Sequence, residues 1–202
     1  MLPLLLRLSK KISYNESRLN TIERSNTMLK IFSTQLSGYF TKISQKEEMN
    51  IEDSARLLAQ ALVGDGIVYL HGTNEMDGVV SEALHGAEPL KHAKRLIENG
   101  TKAEVTSADR VLLISRFSTD ENIISLAKQL QEEGHSIVGI SAIQNGEVSL
   151  EQFTDVHIDT KLLKGLIPDD EGNRYGFPSL ILSLFAYHGL KFTIDEMINE
   201  YE

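Results

Sequence analysis

Short runs of β-branched and aliphatic residues alternate along this chain with segments of helical period, and their order predicts the architecture. From Leu29 to Ile43 the apolar residues Ile31, Phe32, Leu36, Tyr39, Phe40 and Ile43 fall on one helical face. A second helix is expected from Asn50, which caps it with Asp53 three residues on. This helix buries Ile51, Ala55, Leu58, Ala59 and Leu62 and stops at Gly64. IVYLHG, from Ile67 to Gly72, is short and nearly all apolar, as in a central strand covered on both faces. A helix from Asp77 to His85 follows.

RVLLIS and SIVGIS are two further buried strands, separated by a helix from Ile123 to Glu133 that Gly134 ends. This β-α-β unit of about 30 residues predicts parallel strands joined by a right-handed crossover. Asp155 to Thr160 alternates in polarity and reads as an edge strand. Between Gly86 and Ala108, periodicity leaves two positions open for one strand, Glu88 to Lys91 or Lys102 to Val105. Lys161 to Gly176 is a long charged connection that brings Lys161, Lys164 and Arg174 to the sheet's rim as a candidate lid. Pro178 then opens a helix through His188 that Gly189 ends, and Thr193 with Glu196 caps a last short helix to Tyr201. The sum is a three-layer α/β sandwich with ligands expected at the carboxyl ends of the strands.

Composition narrows the class. A chain of 202 residues, 41% hydrophobic and 24% charged with four prolines, suits one soluble domain with a large core. The net charge of −9, with no basic cluster to displace counterions, argues against nucleic acid as a partner. The absence of cysteine excludes disulfides, thiolate metal sites and thiol catalysis, and it suits the cytoplasm. The six histidines show no metal-ligand spacing. Neither a dinucleotide fingerprint nor a Walker A loop is present, so no cofactor is expected. The first 27 residues carry net charge +3 and the remainder −12, with the break at Met28. LPLLL near the start is too short to span a bilayer, and no membrane partner is expected. Residues 1–27 therefore read as an N-terminal extension, either a flexible arm or the product of an upstream start codon, and 28–202 as the domain.

Two strand-to-helix turns concentrate the candidate chemistry. Gly72, Thr73 and Asn74 end the first strand; Ser115, Arg116, Ser118 and Thr119 end the second clear strand. Hydroxyls beside a helix N-terminus favour an anion, and a guanidinium matches phosphate geometry. Simple capping is the competing reading: Ser118 and Glu121 form an S-x-x-E box that needs no ligand, and Asp120 and Glu121 oppose an anion. His71, at the end of a central strand, is an acid/base candidate.

At these turns the chain resembles the SIS (sugar isomerase) domain. Gly72-Thr73-Asn74-Glu75-Met76 stands for the family's Gly-Asn-Gly-Gly-Ser type loop. Ile114-Ser115-Arg116-Phe117-Ser118-Thr119-Asp120-Glu121-Asn122 stands for its Ile-Ser-x-Ser-Gly-x-(Ser/Thr)-x-(Glu/Asn). The resemblance covers most of residues 50–190, and 28–202 more closely resembles bacterial SIS-like proteins, some labelled phosphoheptose isomerases. It implies a flavodoxin-like α/β/α sandwich with a mainly parallel sheet of about five strands. It also implies a bound phosphosugar and a homodimer or homotetramer, with the Leu29 to Leu62 helices expected at the interface. Phe117 departs from the family's second serine, and Glu75 and Met76 from its glycine and serine. The family's catalytic glutamate aligns with Gly86, leaving Glu82 and Glu88 displaced, whereas His188 lies in the segment of its catalytic histidine. Two readings follow. One is an aldose–ketose isomerase using His71 or His188 with Glu75 or Glu88; the other is a non-catalytic sensor or scaffold with a decayed site.

Overall fold

The computed structural model describes residues 25–200. Its main strands are β1 (Val68–Gly72), β2 (Ala93–Arg95), β5 (Arg110–Phe117), β6 (Ile137–Ala142) and β7 (Val156–Asp159). They form one parallel sheet in the order β2-β1-β5-β6-β7. β3 (Ile97–Glu98) and β4 (Thr101–Lys102) make a separate antiparallel pair after β2. The helices are α1 (25–46), α2 (Glu48–Val63), α3 (Asp77–His85), α4 (Glu121–Glu132) and α5 (Ser179–Asn199). Val111 and Leu113 of β5 pack with Ile123, Ala127 and Leu130 of α4. Leu112 and Ile114, which alternation sends to the opposite face, are equally buried, and α2 and α5 pack there. The result is the expected α/β/α sandwich.

Two units divide the chain. The larger comprises Tyr39–Leu163 with Phe177–Glu202 and contains the five-stranded sheet. The smaller contains helical residues 25–38 and Lys164–Gly176. There the charged connection is a hairpin, β8 (Ile167–Pro168) against β9 (Arg174–Tyr175). Its turn is organised by Asp169, whose carboxylate accepts from the N–H groups of Glu171 (3.0 Å) and Asn173 (2.7 Å). Residues 1–24, most of the expected extension, lie outside the described residues, as does Tyr201.

Three local expectations are corrected. The sheet's fifth strand is Ala93–Arg95, neither of the two positions left open. Main-chain pairing with β1 sets it, through Val68 N–H to His92 O (3.0 Å) and Leu96 N–H to Leu70 O (2.8 Å), and its mixed sequence Ala-Lys-Arg carries no period. α2 begins at Glu48, so Asn50 lies inside its first turn and donates its side-chain amide to Glu47 (2.7 Å) instead of capping. α5 continues through Gly189 to Asn199, and the Thr193 hydroxyl donates to Gly189 O (3.0 Å) within the helix. A helix-interior glycine costs about 1 kcal/mol, whereas burying side chains such as Leu182, Leu190 and Ile194 contributes about 1.5–3 kcal/mol each, so packing decides.

Beyond β7, Lys161 adopts φ +60° and places its ammonium 2.5 Å from Glu47 and 3.2 Å from Asp159. The Glu47 side chain is only 4% exposed and also accepts the Asp159 N–H at 3.1 Å. Lys161→Met should therefore destabilise by about 2 kcal/mol in urea denaturation, because it leaves a buried carboxylate without its counter-ion. Adding Glu47→Gln should recover part of that loss. A neutral single variant would contradict the ion pair.

Candidate functional site

The chain leaves β1 towards β2 on one side and later returns to β5 on the other, which makes the crevice at the carboxyl ends of β1 and β5 a topological switch point. Each strand ends there in an unusual way. Past Gly72 the chain folds back in a single 3-10 turn, Asn74–Met76, so tightly that a Cβ at Gly72 would lie 2.5 Å from Met76 O. Asn74 opens this turn at φ +52°, a conformation asparagine tolerates better than most residues. Thr73 N–H donates to Ile114 O (3.0 Å), extending the ladder to the rim.

β5 shifts register between Ile114 and Phe117, where the Ser115 hydroxyl donates to Phe117 O (2.8 Å). Ser118 remains tied to β6: its N–H donates to Ala142 O (2.9 Å) and its hydroxyl oxygen accepts from Gln144 N–H (3.0 Å). Both serines are fully buried. The expected Ser118–Glu121 capping box is thus replaced by Asp120, whose carboxylate accepts from the N–H groups of Asn122 (3.0 Å) and Ile123 (3.3 Å). The strand runs two residues further than its apolar run suggests, and the first residue free of it is a strong cap.

Side chains join the two turns. Asp120 accepts the Thr73 hydroxyl (3.0 Å), and Arg116 Nε donates to Glu75 Oε1 (2.6 Å). Arg95, ending β2, forks onto Asp77 at the start of α3, while Thr119 donates to Gln144 Oε1 (2.9 Å). The half-buried His71 lies in the field of these groups. Burial pushes its imidazole below the ordinary value, with Asp77 and Asp120 pulling it up and Arg95 pushing it down, so the ring is neutral at neutral pH. The Arg116 guanidinium beside Glu75 holds that carboxyl below its usual range. Phe117 meets Phe177 edge-on at 5.8 Å.

The structure therefore gathers His71, Gly72, Thr73, Asn74, Glu75, Ser115, Arg116, Ser118 and Thr119 at one crevice. It adds Asp77, Arg95 and Gln144, which the sequence reading did not include, and gives Asp120 a central place. An aspartate preceding the helical period signals a cap; Arg95 sits in a stretch without period and had no signal. His188 and Glu88 are not brought to this cluster. The start of α5 meets the first turn, with Leu180 against Gly78, whereas His188 lies nine residues on, about 14 Å along the axis, stacked on Phe192. Glu88 is exposed and lines a concavity with Lys191 and Asp195 near the far end of α5. Thr73, Asn74, Arg116 and Thr119 remain reachable, a set suited to phosphate oxygens or sugar hydroxyls. Among the described residues, no cluster of three or more His, Asp or Glu is placed to hold a metal ion, and no helix is long and apolar enough to cross a membrane.

Comparison with known proteins then decides the family. The family described as Domain of unknown function (DUF2529) matches residues 28–198. The chain belongs to that family. It is 47% identical over 174 residues to the Bacillus subtilis (strain 168) protein named Uncharacterized protein YwjG, covering 86% of this chain and 99% of that one. Among solved structures it is similar to the Methanococcus jannaschii protein MJ1247, whose structure is described as inferring a 3-hexulose-6-phosphate isomerase function. That likeness has TM-score 0.55 and 16% identity, over 86% of this chain and 90% of that one. It is also similar to the E. coli CFT073 protein c3406, solved in complex with a phosphosugar ligand (TM-score 0.52, 13% identity, 89% and 93% covered). A phosphoheptose isomerase from Francisella tularensis gives TM-score 0.50 at 16% identity, over 81% of this chain and 97% of that one. At these identities the likeness is one of fold, and members of the DUF2529 family share this fold with phosphosugar isomerases.

Proposed function

We propose that this DUF2529 protein is a cytoplasmic protein that binds a phosphorylated sugar between the β1 and β5 turns. The observation that carries the reading is the convergence of Thr73, Asn74, Arg116 and Thr119 at the switch point, where open α/β sheets take their ligands. The fold neighbours named as acting on or holding sugar phosphates support it. His71 with Glu75 is the acid/base pair of the isomerase form of this proposal, since a neutral imidazole beside a carboxylate can move a proton between adjacent carbons. His188 and Glu88 are the alternative pair. The full burial of Ser115 and Ser118 favours a second reading, a non-catalytic sensor or an oligomeric scaffold. We place the interface between copies, as a homodimer or homotetramer, on the helices of residues 29–62, where Met49 is exposed, with Val63 just beyond.

A thermal-shift screen of the full chain against sedoheptulose 7-phosphate, fructose 6-phosphate and glucosamine 6-phosphate tests the binding reading. A ligand at about 100 times its dissociation constant stabilises by about 2.7 kcal/mol, a rise of several degrees for a domain of this size. Thr73→Ala with Thr119→Ala should abolish that rise. No response to any sugar phosphate would reject the proposal. Among binders, His71→Ala removing turnover but not the thermal shift would establish the isomerase form.

A further inference from the structure

Nearly every group suited to gripping a phosphate at this crevice is already held by a carboxylate of the same chain. Arg116 is on Glu75, Arg95 is on Asp77, and the Thr73 hydroxyl and the first-turn N–H groups of α4 are on Asp120. A carboxylate on a guanidinium, and another on a helix N-terminus that also accepts a hydroxyl, make the contacts phosphate oxygens make in such sites. The Glu75 side chain is 32% and that of Arg116 49% exposed, so the pair can open without disturbing the core. Glu75, Asp77, Asp120 and Glu121 also outnumber Arg95 and Arg116 around a neutral His71, so an entering dianion meets net negative charge unless carboxylates give way.

We propose that Glu75 and Asp120 are displaceable stand-ins for the ligand's phosphate. The phosphate takes Arg116 from Glu75, and Thr73 with the α4 N–H groups from Asp120. The two carboxylates thereby keep the donors oriented in the free protein and set its anion affinity. This rests on the phosphosugar reading above and adds a consequence that reading does not carry: removing charge from two site residues tightens binding.

The experiment measures dissociation constants of the full chain for inorganic phosphate and fructose 6-phosphate by titration calorimetry, in wild type, Glu75→Gln, Asp120→Asn and Arg116→Gln. Asparagine still caps α4, so Asp120→Asn keeps the fold if Glu75→Gln does not. Glu75→Gln and Asp120→Asn should each bind about tenfold more tightly than wild type, and Arg116→Gln at least about tenfold more weakly. Wild-type binding with equal or weaker binding in both charge-removed variants overturns the stand-in role and leaves the phosphosugar reading intact. No binding of either probe by any of the four proteins overturns both.

Discussion

Lowering the pH from about 7.5 to about 4 should strip about 3 kcal/mol from the stability of this protein through one side chain, His157. The residue is 9% exposed, in the β7 position paired with Gly139 of β6. A Cβ at Gly139 would lie 2.6 Å from the ring's Cδ2, so the imidazole occupies the space that glycine leaves. Nε2 bonds the buried Ser141 hydroxyl at 2.8 Å, and Nδ1 has no hydrogen-bond partner. Burial pushes the imidazole down to about 4, against the smaller upward pull of Asp159 and Glu47. The folded-state value lies below the ordinary 6.5, so between about 4 and 6.5 the unfolded chain binds the extra proton. The stabilisation is complete above about 6.5 and is lost as pH falls towards 4. Urea denaturation of wild type and His157→Gln at both pH values isolates the effect, since all other titrating groups cancel. The variant should lose stability at neutral pH but show an acid-limb slope flatter by about 3 kcal/mol. Parallel pH profiles would exclude His157 as the cause.

Gly72→Ala should cost about 3 kcal/mol and abolish ligand binding together. A Cβ there would lie 2.5 Å from Met76 O, 2.6 Å from Met76 C and 2.8 Å from Asp77 N. These are main-chain atoms of the 3-10 turn and the start of α3, which cannot step aside as a side-chain tip can. Relief requires the turn to lift, carrying Thr73 from Asp120 and Glu75 from Arg116. Gly78→Ala is the informative control. Its Cβ would meet only the Leu180 side chain, at 3.0 Å, and alanine's helix propensity offsets about 1 kcal/mol of that crowding. Denaturation midpoints and the thermal response to sugar phosphate should separate the two variants. A Gly72→Ala protein within about 0.5 kcal/mol of wild type would show that the turn adapts.

The two turns were legible because an apolar run ending in small polar residues is a local pattern, and the resemblance to SIS loops rests on the same residues. What those residues do was not legible. Ser115 and Ser118 read as hydroxyls offered to a ligand, yet a register shift in β5 and the pairing of Ser118 with Ala142 seal both inside the sheet. Arg116 read as a free cation, whereas Glu75, 41 positions away, holds it. The Glu47–Asp159–Lys161 group spans more than 100 positions and left no mark in any window. β2 was missed for a related reason. Its three residues are extended because β1 offers an edge to pair with, and no preference of Ala-Lys-Arg announces it.

Local sequence was enough for the α/β class, the central strands and the end of the sheet at which polar chemistry collects, since hydrophobic period, β-branching and turn residues act over a few positions. Long-range packing was needed to choose which strand fills the sheet's edge, to carry α5 through Gly189, and to make Asp120 the cap of α4. It also set the site's cations against carboxylates of their own chain. Each of these is a choice between local options differing by about 1 kcal/mol, settled by burial and by hydrogen bonds to residues distant in sequence.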